Sequence, residues 1–337
     1  MKIISLFSGA GGLDLGFEQQ GFEPIIGYDN KLAAVQTYNH NRKREVARVA
    51  DLSSKTGEEI LMDVEAISPN QKPIGIVGGP PCQYFSNGNK SKRDKSDPRR
   101  YLPVQYACIL HDLNEKYDID FFILENVNGL AQPAHKEDFR KLCSLFSNSG
   151  FHISVDILDA CNYGVPQIRK RLFIVGWNKK QYPQGVYKFP RPFRKLLSVR
   201  DCIGNLPEPI YFEKGLDPSK FPVHPNHWTM QPKSPKFKSP PPPEVKNKPR
   251  SFRRLTWEQP SDTVAYGHNE IHVHPNGHRR LSIYEAMLLQ GFPPGGDGYQ
   301  LLGTFSEQVG LVSDTVPPPL ASTLAQSILE FINAYRK

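Results

Sequence analysis

Between residue 1 and about residue 177 the chain alternates short apolar runs with segments long enough to be helices. The runs fall at 2–8, 23–29, 46–51, 74–79, 121–127, 152–159 and 171–177, and helix-length stretches such as 31–40, 102–117 and 136–148 lie between several of them. Apolar runs separated in this way suit strands buried on both faces by helices, so the pattern predicts an α/β fold with a doubly wound, mostly parallel sheet. Strand ends converge at the mouth of such a sheet. Three runs meet chemically useful residues there. Gly78-Gly79-Pro80-Pro81-Cys82-Gln83 follows one, Glu125-Asn126-Val127 ends another, and Gln167-Ile168-Arg169-Lys170-Arg171 leads into a third. A nucleophile, an acid and paired guanidiniums at strand ends make a candidate reaction centre.

The character of the chain changes after Trp177. Residues 178–260 are rich in Pro, Lys, Arg and Phe, with Pro240 to Pro243 consecutive, and their periodicity is poor. This reads as a second, smaller, irregular domain. Helical order returns at Ser282–Gln290 and Pro319–Tyr335. The last helix is expected to pack back on the first domain, since Leu320, Leu324, Ile328 and Phe331 would otherwise be wet. The expected division is therefore 1–177, 178–260 and 261–337. No internal repeat is visible.

Lys and Arg number 42 against 34 Asp and Glu, a net charge of +8 that is compatible with a polyanionic partner without requiring one. The five cysteines include no Cys-x-x-Cys pair, so neither a disulfide framework nor a zinc site is expected, and no metal is assigned. Asp14 interrupts the first apolar run too early for a signal-peptide core, and no 18-residue apolar run could span a membrane. A reduced, cytoplasmic, membrane-free protein is the expectation.

Ile3 to Leu13 reads as a strand running into a glycine turn and then a helix, and the second strand ends in Asp29. A glycine turn after the first strand and an acid after the second suit an adenosine cofactor, with the carboxylate accepting the ribose hydroxyls. The third glycine of a dinucleotide fingerprint is missing, and Asp14 stands in its place. A carboxylate at the mouth of the helix would oppose a pyrophosphate, which disfavours NAD and favours a cofactor without phosphates, such as S-adenosylmethionine. Taken alone, the glycines could equally form a plain tight turn.

Taken in order, Phe-Ser-Gly-Ala-Gly-Gly (7–12), Gly-Gly-Pro-Pro-Cys-Gln-x-Phe-Ser (78–86), Glu-Asn-Val (125–127), Gln-x-Arg-x-Arg (167–171), the Arg279–Pro293 segment and Val-Pro-Pro-Pro-Leu-Ala (316–321) resemble the DNA (cytosine-5) methyltransferase family. The similarity is to its stand-alone prokaryotic members, of restriction-modification type. It implies a Rossmann-like, S-adenosylmethionine-dependent methyltransferase fold, with 178–260 as the target-recognition domain. Three positions depart from the family pattern. Ser313-Asp314-Thr315 stands where Gly-Asn-Ala is common, Asn30 where an aromatic often covers the adenine, and Asp29 where a Glu is usual.

The resemblance also implies roles. Cys82 would add as a thiolate to carbon 6 of cytosine, and a free thiol, with a pKa of about 8.5, needs an electropositive site for this. Glu125 would hold the ring nitrogen N3, carrying or sharing a proton. Arg169 would contact the cytosine carbonyl and orient Glu125, with Arg171 in support. Cofactor contacts would come from Phe7, Ser8, Gly9, Gly11, Gly12, Leu13, Asp29, Asn30, Asp51, Leu52, Pro81, Leu102 and Asp314. The target base must leave the stack to be reached. Gln83, Ser86, Lys90, Lys92, Arg93 and Arg99, in or beside a basic loop at 86–100, would hold the DNA from the minor-groove side. Asn226, His227, Trp228, Thr229 and Gln231 lie in the region expected to reach major-groove edges. The implied partners are double-stranded DNA and, functionally, a cognate restriction endonuclease, and the chain is expected to act as a monomer. A tRNA cytosine-5 methyltransferase and a catalytically silent DNA-binding relative are the alternatives. Tyr84-Phe85-Ser86 and the long Pro-rich segment favour DNA; intact Cys82, Glu125, Arg169 and Arg171 argue against silence.

Overall fold

The computed structural model describes residues 1–81, 98–192, 195–217, 219, 221, 223–240, 252–263, 265–266, 270–296 and 298–336. Cys82, Gln83, Ser86, Lys90, Lys92 and Arg93 lie outside the described residues, as does the Arg99 side chain. The chain forms two compact units. One comprises Met1–Leu158, Lys170–Arg191 and Ala321–Lys337, the other Asp159–Arg169 and Pro192–Leu320. Where the sequence suggests cuts after residues 177 and 260, packing groups 178–191 with the sheet and 261–320 with 192–260.

The first unit is built on β1 (Lys2–Leu6), β2 (Glu23–Asp29), β3 (Ala47–Val49), β4 (Gly75–Gly78), β5 (Phe121–Val127), β6 (Phe151–Asp159) and, after a short β7 (Gln167–Ile168) in the other unit, β8 (Lys170–Asn178). These form one seven-stranded sheet in the order β3-β2-β1-β4-β5-β8-β6. Neighbours from β3 to β5 run parallel, while β8 is antiparallel to β5. Helices α1 (Gly12–Glu18), α2 (Leu32–Arg42), α3 (Gly57–Ile67), α4 (Leu102–Tyr117) and α5 (Lys136–Asn148) connect the strands. The expected mostly parallel, doubly wound sheet is what forms, and its arrangement matches the Rossmann-like methyltransferase fold. The reason is visible in burial: β4 is buried throughout, and β5 is buried up to Asn126. Phe122 of β5 meets Phe146 of α5 with ring centroids 4.5 Å apart and Phe151 of β6 at 5.2 Å, a tilted and an edge-on pair.

Helix α3 lies outside the helix-length stretches named from the sequence, although Ile60, Val64 and Ile67 recur at helical spacing. Its start signal is nonetheless in the sequence, because Thr56 and Glu59 form a reciprocal capping box. The expectation that Asp14 faces the helix mouth is corrected by the structure. Its side chain is fully buried and accepts a hydrogen bond from Ser5 Oγ at 2.8 Å, and burial pushes its pKa up to about 6.

Helix α9 (Pro318–Tyr335) completes the sheet unit over its Ala321–Tyr335 stretch. The Phe331 ring centroid lies 4.1 Å from that of Trp177, and Arg336 Nη2 donates to Asp120 at 3.0 Å. Leu324 and Ile328 are fully buried.

The second unit has little regular structure. It holds α6 (Val199–Ile203), α7 (Ile283–Leu289), α8 (Phe305–Asp314) and two-residue ladders such as β9 (Ile210–Tyr211) with β10 (Trp228–Thr229), and β11 (Ser261–Asp262) with β7. A buried ion pair stands in for long ladders. Arg279 grips Glu285 of α7 in bidentate fashion at 2.8 and 2.9 Å, while Glu285 also accepts the Ser282 amide.

Candidate active site and cofactor cleft

In the sheet the chain builds outward from β1 to β3 and then crosses back to β4, so β1 and β4 flank a topological switch point. The crevice at the carboxyl ends of such strands is where open α/β sheets bind ligands. The glycine turn lies on one side of it and the segment leading to Cys82 on the other.

The turn is conformationally unusual. Phe7, Gly9 and Gly11 have φ of 54°, 54° and 79°. Left-handed backbone at a bulky residue costs on the order of 1–3 kcal/mol and persists only where its surroundings enforce it. Here the Ser8 amide donates to the Tyr28 carbonyl at 2.9 Å, and the Gly9 amide donates to Asp29 Oδ2 at 2.9 Å. Asp29 Oδ1 accepts the Lys31 amide at 2.9 Å. The acid of the second strand thus pins the turn of the first. Among the described residues no atom lies within 4 Å of where a Cβ on Gly9 would stand.

The other expected cofactor residues fall as follows. Gly12 and Leu13 are buried in the first turn of α1, and Asn30 is exposed beside Asp29. The Ala50 amide donates to the Asp29 carbonyl at 3.0 Å, which ties the loop carrying Asp51 and Leu52 to the end of β2. Asp51 is exposed, and its hydrogen bonds from Ser53 hold its carboxyl below the usual range. Leu52 and Leu102 are buried, and Leu102 opens α4. Pro81 is exposed and immediately precedes Cys82. Asp314 is the exposed last residue of α8, in the second unit.

The acid–guanidinium pair is well defined. Glu125 is largely buried, and Arg171 Nε lies 3.0 Å from its Oε1. The resemblance gives the orienting role to Arg169 and the supporting one to Arg171, and Arg171 is in ion-pair contact with Glu125. Gly79 explains how the carboxylate fits, because a Cβ there would stand 2.8 Å from Glu125 Oε2. Next to it, Asn126 Nδ2 donates to the Pro80 carbonyl at 3.3 Å, tying the end of β5 to the segment that leads to Cys82. Sequence reasoning assigns no site role to Gly79 or Asn126, although both sit inside the quoted motifs.

Arg169 makes bonds within the second unit. It is almost fully buried, its amide donates to Asp159 Oδ1 at 2.9 Å and its Nη2 to the Ser313 carbonyl at 2.7 Å. Gln167 donates to Gln290 Oε1 at 2.7 Å, and Gln290 donates on to the Thr315 carbonyl. Three separated motifs are thereby joined by side-chain amides.

The residues set apart as groove readers divide sharply. Asn226, His227, Trp228 and Thr229 are all buried. Asn226 bonds Leu301 and Gln308, His227 lies 3.0 Å from Ser282 Oγ, and Thr229 donates to the Leu281 carbonyl. They hold this unit together, and only Gln231 is exposed. Among the described residues no helix is long and apolar enough to cross a membrane.

Comparison with known proteins agrees with this architecture. The family model for C-5 cytosine-specific DNA methylase matches residues 1–330. The chain is 31% identical to the type II methyltransferase M.MthTI of Methanothermobacter thermautotrophicus, covering 97% of each chain. It is 32% identical to M.FnuDI of Fusobacterium nucleatum, over all of this chain and 96% of that one. Among solved structures, a DNA modification methyltransferase encoded within an E. coli prophage superposes with a TM-score of 0.76 at 22% identity, over 99% of both chains. The S. pombe Dnmt2 methyltransferase superposes at 0.67 and 17%, also over 99% of both. With the family model spanning nearly the whole chain and the sheet matching in kind, this protein belongs to the C-5 cytosine-specific DNA methylase family.

Proposed function

We propose that the protein transfers a methyl group from S-adenosylmethionine to carbon 5 of a cytosine within a specific sequence of duplex DNA, through a covalent adduct of Cys82. The observation that carries this reading is the Glu125–Arg171 pair, set at the carboxyl end of β5 and tied through Asn126 to the segment entering Cys82.

Carbon 5 of cytosine becomes nucleophilic only when something adds across the ring. The Cys82 thiolate forms a bond to carbon 6, and the electron pair moves toward N3, where Glu125 supplies or shares a proton. Arg171 fixes the carboxylate in place for that contact, and Gly79 leaves the room it needs. Carbon 5 then takes the methyl group and loses its proton to a base, and the carbon–sulfur bond breaks to release thiolate and 5-methylcytosine. Arg169 is assigned the cytosine carbonyl. The target base is flipped from the duplex to expose carbon 6.

S-adenosylmethionine supplies an electrophilic methyl group when bound. The residues assigned to hold it fit a ligand of that kind. Gly9 has no described atom within 4 Å of where its Cβ would stand, and Asp29 presents a carboxylate that accepts the Gly9 and Lys31 amides at the same turn. Phe7, Ser8, Gly11, Gly12, Leu13, Asn30, Asp51, Leu52, Pro81, Leu102 and Asp314 make up the rest of the assignment. Gln83, Ser86, Lys90, Lys92, Arg93 and Arg99 are assigned to the DNA. Residues 178–260 are assigned to sequence recognition. The type II names of the relatives support a modification enzyme; its action as a monomer in the cytoplasm, alongside a cognate restriction endonuclease, belongs to the same proposal.

A pool of duplexes containing 5-fluorocytosine, incubated with S-adenosylmethionine, tests the adduct. The fluorine cannot leave as a proton does, so a denaturation-resistant protein–DNA complex should form, and peptide mapping should place the link at Cys82. Labelling of tRNA instead of DNA, or a link at another residue, would refute the proposal.

A further inference from the structure

Gln167 and Gln290 have no part in the proposed chemistry, yet both side chains are completely buried. Burying an amide is costly unless it is hydrogen-bonded, and these two are bonded to each other. Gln167 Nε2 donates to Gln290 Oε1 at 2.7 Å and to the Leu289 carbonyl at 3.1 Å, and Gln290 Nε2 donates to the Thr315 carbonyl. Thr315 Oγ1 donates on to the Leu311 carbonyl at 2.6 Å. The Leu289 and Thr315 carbonyls can only accept, so each amide must turn its nitrogen toward them. The relay therefore has one direction.

Three stretches that are far apart in sequence, 165–169, 289–291 and 311–319, are joined in this way, all of them within the second unit. Little slack remains where they meet. Gly291 has a φ of 86°, and a Cβ there would stand 2.6 Å from Pro319 Cδ and 3.7 Å from Val165 Cγ2.

The relay ends at the carboxyl end of α8. Ser313 and Asp314 are the last residues of that helix, and Thr315 follows. The last carbonyls of a helix have no partner inside it. Here buried side chains supply the donors on both sides of Asp314: Arg169 Nη2 to the Ser313 carbonyl at 2.7 Å, and Gln290 Nε2 to the Thr315 carbonyl. Asp314 itself is exposed between these two fixed carbonyls. A shift of this helix end would move Asp314 and the Arg169 guanidinium together.

We propose that Gln290, oriented by Gln167, is a positioning residue whose bond to Thr315 sets the end of α8, and with it both Arg169 and Asp314. The inference rests on the proposed methyl transfer, in which Arg169 is assigned the cytosine carbonyl and Asp314 the cofactor. It adds that one buried amide fixes a group for each of the two reactants, while neither glutamine touches a reactant. Loss of that amide should therefore lower the rate and the cofactor affinity together.

Gln290→Glu keeps the shape and the acceptor for Gln167, but once ionised it turns a carboxylate oxygen toward the Thr315 carbonyl. In acid the protonated side chain regains a donor there, and burial favours that form. Gln308→Glu is the matched control. The Gln308 amide is also buried, accepts from Asn226 Nδ2 at 3.1 Å and donates to the Gly303 carbonyl at 2.9 Å. Single-turnover methylation of genomic duplex DNA and S-adenosylmethionine affinity are measured between about pH 6 and 9. Arg169 and Asp314, the charged groups on the three joined stretches, are present in every protein compared, so the ratio to wild type isolates the new acid. At the alkaline end the Gln290→Glu rate should fall about 100-fold, the loss expected for misplacement on the scale of 1 Å. Cofactor affinity should fall with it, and both ratios should recover as the pH is lowered. Gln308→Glu should lose thermal stability but hold its rate within a few fold. Gln290→Met, which removes the donor without adding a charge, should lose rate with no recovery in acid, and it carries the test if Gln290→Glu does not fold. A Gln290→Glu or Gln290→Met rate within twofold of wild type throughout, or an equal loss in Gln308→Glu, would overturn the positioning role and leave the enzymatic reading standing. A wild-type protein that transfers no methyl group to DNA would defeat both.

Discussion

Arg171 on β8 places its Nε 3.0 Å from Glu125 Oε1 on the neighbouring antiparallel strand β5, and both side chains are largely withdrawn from solvent. A carboxylate in such a place depends on its partner. Removing the guanidinium by Arg171→Ala leaves a poorly solvated charge, and breaking a buried pair costs roughly 3 kcal/mol or more. Urea unfolding at neutral pH should show that loss. Arg171→Ala/Glu125→Gln should recover much of it without recovering methyl transfer, and equal losses in the single and double variants would deny the coupling.

Gly79 is the position that makes room for the same carboxylate. Gly79→Ala puts a methyl group 2.8 Å from Glu125 Oε2, so the acid must move. Misplacement on the scale of 1 Å can cost about 100-fold in rate. The kcat for methyl transfer should fall on that order while duplex affinity and cofactor affinity stay close to wild type. A kcat within twofold of wild type would show that the position of this carboxylate is not critical.

Asp29 holds the Gly9 and Lys31 amides and is assigned the ribose. Asp29→Ala should weaken S-adenosylmethionine binding by roughly 1.5–3 kcal/mol, the range for hydrogen bonds to a charged acceptor. Calorimetric titration of the cofactor reads this directly, and unchanged affinity would remove Asp29 from the cleft.

Asp14 gives a pH signature unrelated to catalysis. Its folded-state pKa is raised to about 6 from 3.8, first by burial, so the folded chain binds its proton more tightly than the unfolded chain does. The contribution to stability is fully present below about pH 4 and is lost as pH rises through about 6. Asp14→Asn should flatten that part of the stability curve and stabilise the protein at pH 7 by roughly 2–3 kcal/mol. Melting curves from pH 4 to 8 that keep the same shape in the variant would contradict this.

Local pattern carries the sheet unit well. Helices at 102–117 and 136–148 and the strand at 121–127 fall on the same residues in sequence and structure, because apolar period and flanking breakers agree there. The second unit is much less legible. Asn226, His227 and Thr229 are polar residues in a loop-rich stretch, which composition cannot distinguish from exposed readers. Their partners Leu301, Gln308, Ser282 and Leu281 lie more than fifty residues away. The two arginines of Gln-x-Arg-x-Arg likewise look equivalent as letters. A unit boundary falls between them, so that one is bonded to Ser313 and the other to Glu125. Asp14 is visible as a carboxylate in the first turn of α1, but its burial against Ser5 depends on packing that no local pattern encodes.

On the proposed mechanism, methyl transfer to carbon 5 of cytosine in DNA turns on Cys82. The most direct measurement incubates unmethylated genomic DNA with methyl-labelled S-adenosylmethionine and either wild type or Cys82→Ser, then digests the DNA to nucleosides for mass spectrometry, with bisulfite sequencing in parallel. Wild type should yield labelled 5-methyl-2′-deoxycytidine at one recurring sequence, and Cys82→Ser should yield none although that variant still binds DNA. Label on an exocyclic nitrogen, or undiminished 5-methylcytosine with Cys82→Ser, would contradict the assignment.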